Sequence, residues 1–307
     1  MYDTVNFWID RVDISGKNPF EILPYLSEVT ERQNESSGYS CIGKVGDYQI
    51  NIAENGISLK GSLPKNYFGN NIDTLTRRTS KQAIEQLSDS LHIDLSDARV
   101  TRIDVSTVIP TKRPPSDYYS YFGQKLYFER IQSTPNTLYY NNHQKQIIFY
   151  DKIKEAKSAG VSIPEVLKNN HLFRYELRYT KRLNKQLNAE VTASTLADEV
   201  FYRTIKWNWH NEFKTIQKLK TKDFMTENIS TLKEAKDALI AYSLQQLGQD
   251  VVNDFLNELK SRKQLNNRSD YTKLKTELNR IISTPRGEQN DFLHELEKQI
   301  FTYAKYG

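Results

Sequence analysis

Two segments of the sequence place a carboxylate in the middle of a predicted β-strand. One face of segment 173–179 carries three charged side chains, Arg174, Glu176 and Arg178. Segment 101–107 repeats the arrangement, with Arg102, Asp104 and Ser106 on one face. Aspartate is depleted in strands, so Asp104 requires a reason beyond folding. If both strands belong to one sheet, Asp104 and Glu176 can converge as two oxygen ligands for Mg²⁺ or Mn²⁺.

Tyrosines lie between these two strands in the chain. Segment 137–140 is a predicted strand in which Tyr139 and Tyr140 point to opposite faces, and Tyr150 ends the next strand. The chain has 19 tyrosines, so any single one is by default a packing residue with a hydrogen-bonded hydroxyl. The position between two carboxylate-bearing strands makes this group a candidate for chemistry.

The ordered set of motifs resembles the replication initiators of rolling-circle plasmids of the Rep-trans type and the gene II replication proteins of filamentous phages. The matching pieces are Arg102–Asp104, Thr137–Tyr139, Phe149–Lys152 with Glu155, and Arg174–Arg178. The run Leu59–Leu63, with Gly69 and Asn71, is similar to the phage members. The resemblance covers roughly residues 1 to 185, with the order and spacing of the motifs retained.

The resemblance implies an enzyme that nicks and rejoins one DNA strand. A tyrosine attacks a phosphodiester at the replication origin, which leaves a 5′-phosphotyrosine link and a free 3′ hydroxyl that primes synthesis. By position, Tyr139 matches the nucleophile of the family. Plasmid members follow this tyrosine with Gly-Ser-Arg, whereas Tyr140–Asn142 follows here, so the choice between Tyr139 and Tyr140 stays open. Tyr150 is a third candidate.

The chemistry also assigns roles to the charged residues. A tyrosine with a pKa near 10 needs a nearby cation to attack as phenolate. A divalent metal held by Asp104 and Glu176 would polarise the phosphate, and Lys152 would assist. Guanidinium and ammonium groups hold phosphate oxygens well. The predicted DNA-binding and phosphate-binding residues are Arg102, Arg174, Arg178, Lys181 and Arg182.

Histidine positions exclude one related metal site. Many rolling-circle nucleases and relaxases use two histidines separated by one residue. The five histidines are His92, His143, His171, His210 and His294, and none has another histidine two positions away. That two-histidine site is therefore absent from the sequence.

Hydrophobic periodicity predicts an α+β fold. Alternating apolar residues predict an antiparallel sheet with packed helices over residues 1–190, the catalytic domain, with Cys41 as a small buried strand residue. Helical spacing then predicts an all-helical DNA-binding or interaction domain over residues 191–307. Within it, Thr231 and Glu234 form a capping box, and Gly248 and Pro285 end helices. Trp207 and Trp209 are more consistent with a core stripe than with a DNA grip.

Charge and composition fit a DNA partner. The net charge is +5, but residues 171–222 hold eleven basic and five acidic residues, an excess of six. No apolar run approaches the roughly 18 residues that span a bilayer, and the first residues do not predict a signal peptide, so we expect a protein of the bacterial cytoplasm that does not bind membranes.

The expected partners are single-stranded or hairpin origin DNA, with a host helicase and a second copy of the chain as further options. Two alternatives remain open, a conjugative relaxase with the same chemistry and a non-catalytic origin-binding protein.

Overall fold

Residues 1–11, 14, 18–34, 38–161, 163–165, 170–219, 229–247, 249–283 and 291–307 are described by the computed structural model. Within them, ten strands form one sheet: β1 (Tyr2–Asp10), β2 (Ser27–Asn34), β3 (Gly38–Val45), β4 (Tyr48–Ala53), β5 (Gly56–Ser62), β6 (Arg99–Thr111), β7 (Glu129–Thr134), β8 (Thr137–Asn141), β9 (Lys145–Asp151) and β10 (His171–Tyr179). Neighbouring strands are antiparallel, in the order β2-β3-β4-β5-β1-β6-β10-β9-β8-β7.

Strand parity gives the sheet one apolar and one polar face. In β10, Phe173, Tyr175, Leu177 and Tyr179 are buried in the hydrophobic core. The alternate residues of β1, β4 and β5 belong to the same core. Side chains of opposite parity line the other face, which carries every charged residue that the two carboxylate-bearing motifs contribute. The long central strands β6 and β10 are thereby the scaffold of the polar face.

Helices lie between the strands and after them. They are α1 (Leu63–Phe68), α2 (Arg77–Leu91), α3 (Pro115–Tyr119), α4 (Lys152–Ser158), α5 (Leu183–Leu187), α6 (Glu199–Lys214), α7 (Leu232–Leu247), α8 (Gln249–Ser261), α9 (Arg268–Ser283) and α10 (Asp291–Tyr306). Of these, α2, α6 and α10 pack on the apolar face of the sheet. Short 3₁₀ turns span Pro19–Tyr25 and Ser194–Ala197. The predicted α+β class, with helices after the sheet, is confirmed.

The core extends past the predicted domain boundary at residue 190. The Tyr175 ring stacks on Trp209 of α6 with a centroid distance of 4.5 Å, and the Tyr175 hydroxyl donates to the Trp209 carbonyl at 2.7 Å. Helix α10 packs on α6 and β6 and buries Leu296 and Ile300 in the same core. Periodicity shows that a helix has an apolar stripe but not which surface the stripe covers. Helices α6 and α10 therefore belong to the packing unit of the sheet, and α7, α8 and α9 pack on one another.

Other local predictions have mixed outcomes. Cys41 is buried on β3, as predicted. The capping box is also present, since the Glu234 amide donates to the Thr231 hydroxyl and the Thr231 amide donates to the Glu234 carboxylate. The sequence does not predict strands β2 and β7, because both are largely polar and show no apolar alternation. The predicted helix ends at Gly248 and Pro285 lie outside the described residues.

Truncation of Ile300 tests whether α10 is part of the folding unit of the sheet. Ile300→Ala should lower the free energy of unfolding by about 2–5 kcal/mol, because it leaves a cavity in the shared core. Urea unfolding followed by far-ultraviolet circular dichroism measures the change. Leu239→Ala is the control, since Leu239 is 56% exposed on α7. Equal midpoints for the two variants would show that α10 adds nothing to the core of the sheet.

Candidate active site

Cross-strand pairing places the predicted carboxylates and Tyr139 on one face of the sheet. Glu176 of β10 lies opposite Ser106 of β6 on one side and Ile148 of β9 on the other. Ile148 in turn lies opposite Tyr139 of β8. Directly paired residues point to the same face, so this row runs from β6 to β8 on the polar face. Asp104 joins the face from the neighbouring row, opposite Arg178.

Two arginines neutralise the two buried carboxylates, Arg102 at Asp104 and Arg178 at both. Asp104 and Glu176 are 1% and 2% exposed. Arg102 holds Asp104 through two bonds, from Nε to Oδ1 at 2.8 Å and from an Nη to Oδ2 at 2.6 Å. The Nε of Arg178 lies 2.5 Å from Glu176 Oε1 and 3.5 Å from Asp104 Oδ2, so one guanidinium bridges the two acids. The side chains of both arginines are about 30% exposed, so the cations face solvent above the acids.

Burial raises the pKa of Asp104 to about 6. Hydrogen bonds from Arg102 oppose this effect, and the charge of Glu176 reinforces it. The pair of carboxylates is therefore under electrostatic stress despite its two guanidinium partners. A further positive charge near Asp104 and Glu176 would relieve that repulsion.

A second set of buried charges supports the first. Arg174 forms a buried ion pair with Asp3 of β1 and donates from an Nη to the Asn71 carbonyl at 2.6 Å. Its Nε has no hydrogen-bond partner and lies 3.9 Å from Glu176 Oε2. The Tyr150 hydroxyl is 3.4 Å from the same oxygen. Glu176 Oε2 is thus less firmly bound than Oε1, and the unpaired Nε of Arg174 is the nearest cationic donor to it.

Helix α4 closes one end of this face. The Asp151 carboxylate caps the helix by accepting from the amides of residues 153 and 154. Lys152 follows, 1% exposed, and donates from Nζ to Asn71 Oδ1 at 2.7 Å and to Glu155 Oε2 at 2.5 Å. Because these contacts engage a buried ammonium group, Lys152 holds the loop at Asn71 in place. The catalytic role of Lys152 stays a prediction from the sequence, and its contacts here are with Asn71 and Glu155.

The two adjacent tyrosines have very different surroundings. Tyr139 is half-buried on the polar face and lines an open cleft. Tyr140 lies in the core, donates its hydroxyl to the Gly123 carbonyl at 2.7 Å, and has a pKa raised by burial. Tyr150 lines the same cleft as Tyr139, but burial raises its pKa too. Of the three candidates, Tyr140 is the one that the sheet points away from the carboxylates.

The cleft beside Tyr139 has a volume of about 530 Å³. Strands β8 and β9 form its floor, α4 forms one wall, and Arg178 reaches its edge. Its polar lining includes Tyr139, the carboxylates of Asp151 and Glu155, and the cations of Lys154 and Arg178. A chain of phosphates and sugars entering this cleft would meet the tyrosine hydroxyl and a guanidinium together.

Two predicted DNA-binding residues lie apart from the cleft. Lys181 and Arg182 are exposed just beyond the end of β10, where Thr180 contacts the Gln144 carbonyl. Sequence reasoning also missed Asp3, which the fold places against Arg174. An acidic residue inside the first apolar strand was the available signal, since aspartate is uncommon in strands.

The donor set fits a divalent cation in part. Among the described residues, no cluster of three or more histidine, cysteine, aspartate or glutamate side chains could hold a metal. Asp104 and Glu176 still offer two hard oxygen ligands, and Mg²⁺ commonly keeps several waters as its other ligands. The guanidinium of Arg178 lies between them, so a cation there requires Arg178 to rotate toward solvent, where its side chain is already 30% exposed.

Fold and site together define a protein with an open antiparallel sheet whose polar face carries a tyrosine beside paired acids and arginines. The family model for the N-terminal part of the phage replication-associated protein of the gene II type matches residues 1–199. The chain therefore belongs to this family of phage replication-associated proteins, which supports a role as a replication initiator. No curated protein sequence matches the chain. Among the described helices, none has both the length and the apolar character needed to cross a bilayer.

Removal of Asp3 tests how strongly the buried network holds Arg174. Asp3→Ala should lower the free energy of unfolding by about 3–5 kcal/mol, because it leaves a buried guanidinium without its carboxylate. The control is Glu28→Ala, which breaks an exposed ion pair with Lys44 and should cost at most about 1 kcal/mol. Chemical denaturation of both variants makes the comparison. Similar small losses of unfolding free energy in the two variants would mean that other groups compensate the charge of Arg174 without Asp3.

Proposed function

We propose that this protein nicks one DNA strand at a replication origin, with Tyr139 as the nucleophile. The observation that carries the proposal is the row across the sheet that sets Tyr139 of β8 and Glu176 of β10 on one face, with only strand β9 between them. A protein that only binds DNA gains nothing from buried carboxylates near phosphates, because like charges repel. Family membership supports the replication role, and the site supports the chemistry.

The proposed step is a transesterification. The phenolate oxygen of Tyr139 attacks the phosphorus, so a bond forms between tyrosine and the 5′ side of the nick. The bond from phosphorus to the 3′ oxygen breaks, and that oxygen takes up a proton to become a hydroxyl. The proton lost by the phenol passes to water, so charge and protons balance. The covalent link stores the phosphodiester and allows rejoining without another energy source.

The arginines of the site supply the positive charge that this step needs. A phosphate in the cleft gains negative charge as the tyrosine attacks, and cations held close to it stabilise that charge. Arg178 reaches both the cleft and the carboxylates, so it is the best-placed residue for this role. Arg174 is buried below the surface, paired with Asp3, and acts as a positioning residue for Glu176.

Asp104 and Glu176 are the residues that would hold a divalent metal. Bound there, Mg²⁺ or Mn²⁺ would act as a Lewis acid on a phosphate oxygen. The raised pKa of Asp104 and the loosely bound Oε2 of Glu176 both favour an additional cation. Arg178 would then turn from the carboxylates toward the phosphate.

A covalent adduct on DNA tests the nucleophile. Wild-type protein, Mn²⁺ and labelled single strands from the replicon should give a protein–DNA adduct on a denaturing gel, and mass spectrometry should place it on Tyr139. Tyr139→Phe should give no detectable adduct, because it lacks the attacking oxygen. Tyr140→Phe is the matched control and should retain the adduct, since it removes only a buried hydrogen bond worth about 1 kcal/mol.

The outcomes separate the alternatives. An adduct that persists in Tyr139→Phe and disappears in Tyr140→Phe would contradict the assignment. A wild-type protein that binds these strands but never becomes linked to them would be a non-catalytic binder.

Metal affinity can be measured without the nicking reaction. Mn²⁺ binding, followed by electron paramagnetic resonance, should weaken at least about tenfold in Asp104→Asn and in Glu176→Gln, because each removes a charged ligand. Asp10→Asn is the control, since Asp10 is half-exposed and paired with Arg99 at the same polar face. Unchanged Mn²⁺ binding in both site variants would remove these residues as metal ligands.

A further inference from the structure

The polar face of the sheet continues well beyond the cleft at Tyr139. Pairing across β3, β4, β5, β1 and β6 aligns one row of side chains, which are Lys44, Gln49, Lys60, Asn6 and Arg102. Arg102 is the residue that holds Asp104, so this row leads directly from the candidate active site toward the far edge of the sheet. Lys60 lies two strands from Arg102, about 10 Å away at the usual strand spacing.

A groove of about 320 Å³ lies on this half of the face. Its polar lining is Arg32, Ser40, Gln49, Asn51, Ser58 and Lys60, and no carboxylate contributes to it. Amide and hydroxyl groups together with cations are the side chains that contact phosphate and sugar in protein–DNA interfaces. None of these six residues is buried, so the groove is open to a ligand.

The balance of charge on this half of the face favours an anionic partner. Two acids on this half already have cation partners, since Glu28 binds Lys44 at 2.6 Å and Asp10 binds Arg99 at 3.0 Å. Arg32 and Lys60 are exposed and form no ion pair with any carboxylate in the described part of the chain. Two uncompensated cations therefore remain in a groove without acids.

We propose that this groove of strands β2 to β5 binds the sugar–phosphate backbone of single-stranded DNA that flanks the strand held at Tyr139. The proposal deepens the proposed function and rests on it for the direction of the strand, since the row from Lys60 to Arg102 connects the groove with the cleft. The contacts are to phosphate and sugar, so binding here is independent of base sequence and sensitive to salt.

Oligothymidylates of 8 and 24 nucleotides test the groove without knowledge of the origin sequence. The double variant Arg32→Ala/Lys60→Ala should bind the 24-mer at least tenfold more weakly than the wild type in fluorescence anisotropy. Its slope of log affinity against log salt concentration should fall by about 1.4, because two phosphate contacts to a single strand are lost. The gain in affinity from the 8-mer to the 24-mer should shrink as well.

The control is the double variant Lys81→Ala/Lys298→Ala. It removes the same charge from the exposed surfaces of α2 and α10, which pack on the opposite, apolar face of the sheet. It should bind the 24-mer like the wild type. Equal salt slopes for the two double variants would overturn the proposal, and urea unfolding confirms that both remain folded.

The same proteins distinguish this proposal from the nicking proposal. Covalent attachment to replicon strands depends on Tyr139, which neither double variant alters. If the wild type forms no adduct but Arg32→Ala/Lys60→Ala lowers the salt slope, the groove proposal holds and the nicking proposal is wrong. If the wild type forms an adduct and that variant binds the 24-mer as the wild type does, the nicking proposal holds and the groove proposal is wrong.

Discussion

The guanidinium of Arg178 lies between two carboxylates that water hardly reaches, and the arrangement of the central strands depends on that contact. Removing a carboxylate from water costs several kcal/mol unless a partner compensates the charge. Asp104 comes from β6 and Glu176 from β10, so the bridge requires these two strands to be neighbours in one register. A slip of either strand by one residue would turn its acid into the apolar core.

The second buried pair extends the same constraint to the first strand and to the loop before α2. Arg174 binds Asp3 of β1 and the backbone of Asn71, while Lys152 binds the side chain of Asn71. Segments distant in sequence thus meet at one set of charges. Buried ion pairs add little net stability compared with apolar packing. Because these charged groups come from distant segments, we infer that they specify one arrangement of the chain.

Much of this arrangement follows from the sequence by parity alone. The alternation in 173–179 and 101–107 predicts which residues share a face, and the structure adds that the two faces belong to adjacent strands. Parity does not decide between Tyr139 and Tyr140, because the two residues have the same side chain. The position of the core, which buries Tyr140, distinguishes their faces. The sequence does not predict strand β2, because its polar residues carry no periodic apolar signal. The sequence places helix α6 in a second domain, because its apolar stripe does not reveal that it covers Tyr175.

The exposure of the charged groups has a consequence for substrate binding. The acids are buried whereas Arg102 and Arg178 are near 30% exposed, so an incoming phosphate meets the cations first. A phosphate that recruits these guanidinium groups withdraws counter-charge from Asp104 and Glu176. Their affinity for another cation must then rise, and by linkage a bound cation must raise the affinity for phosphate by the same factor. Under the proposed function, the arginines and a divalent ion are therefore successive partners of the same two carboxylates, and DNA is the ligand that exchanges one for the other.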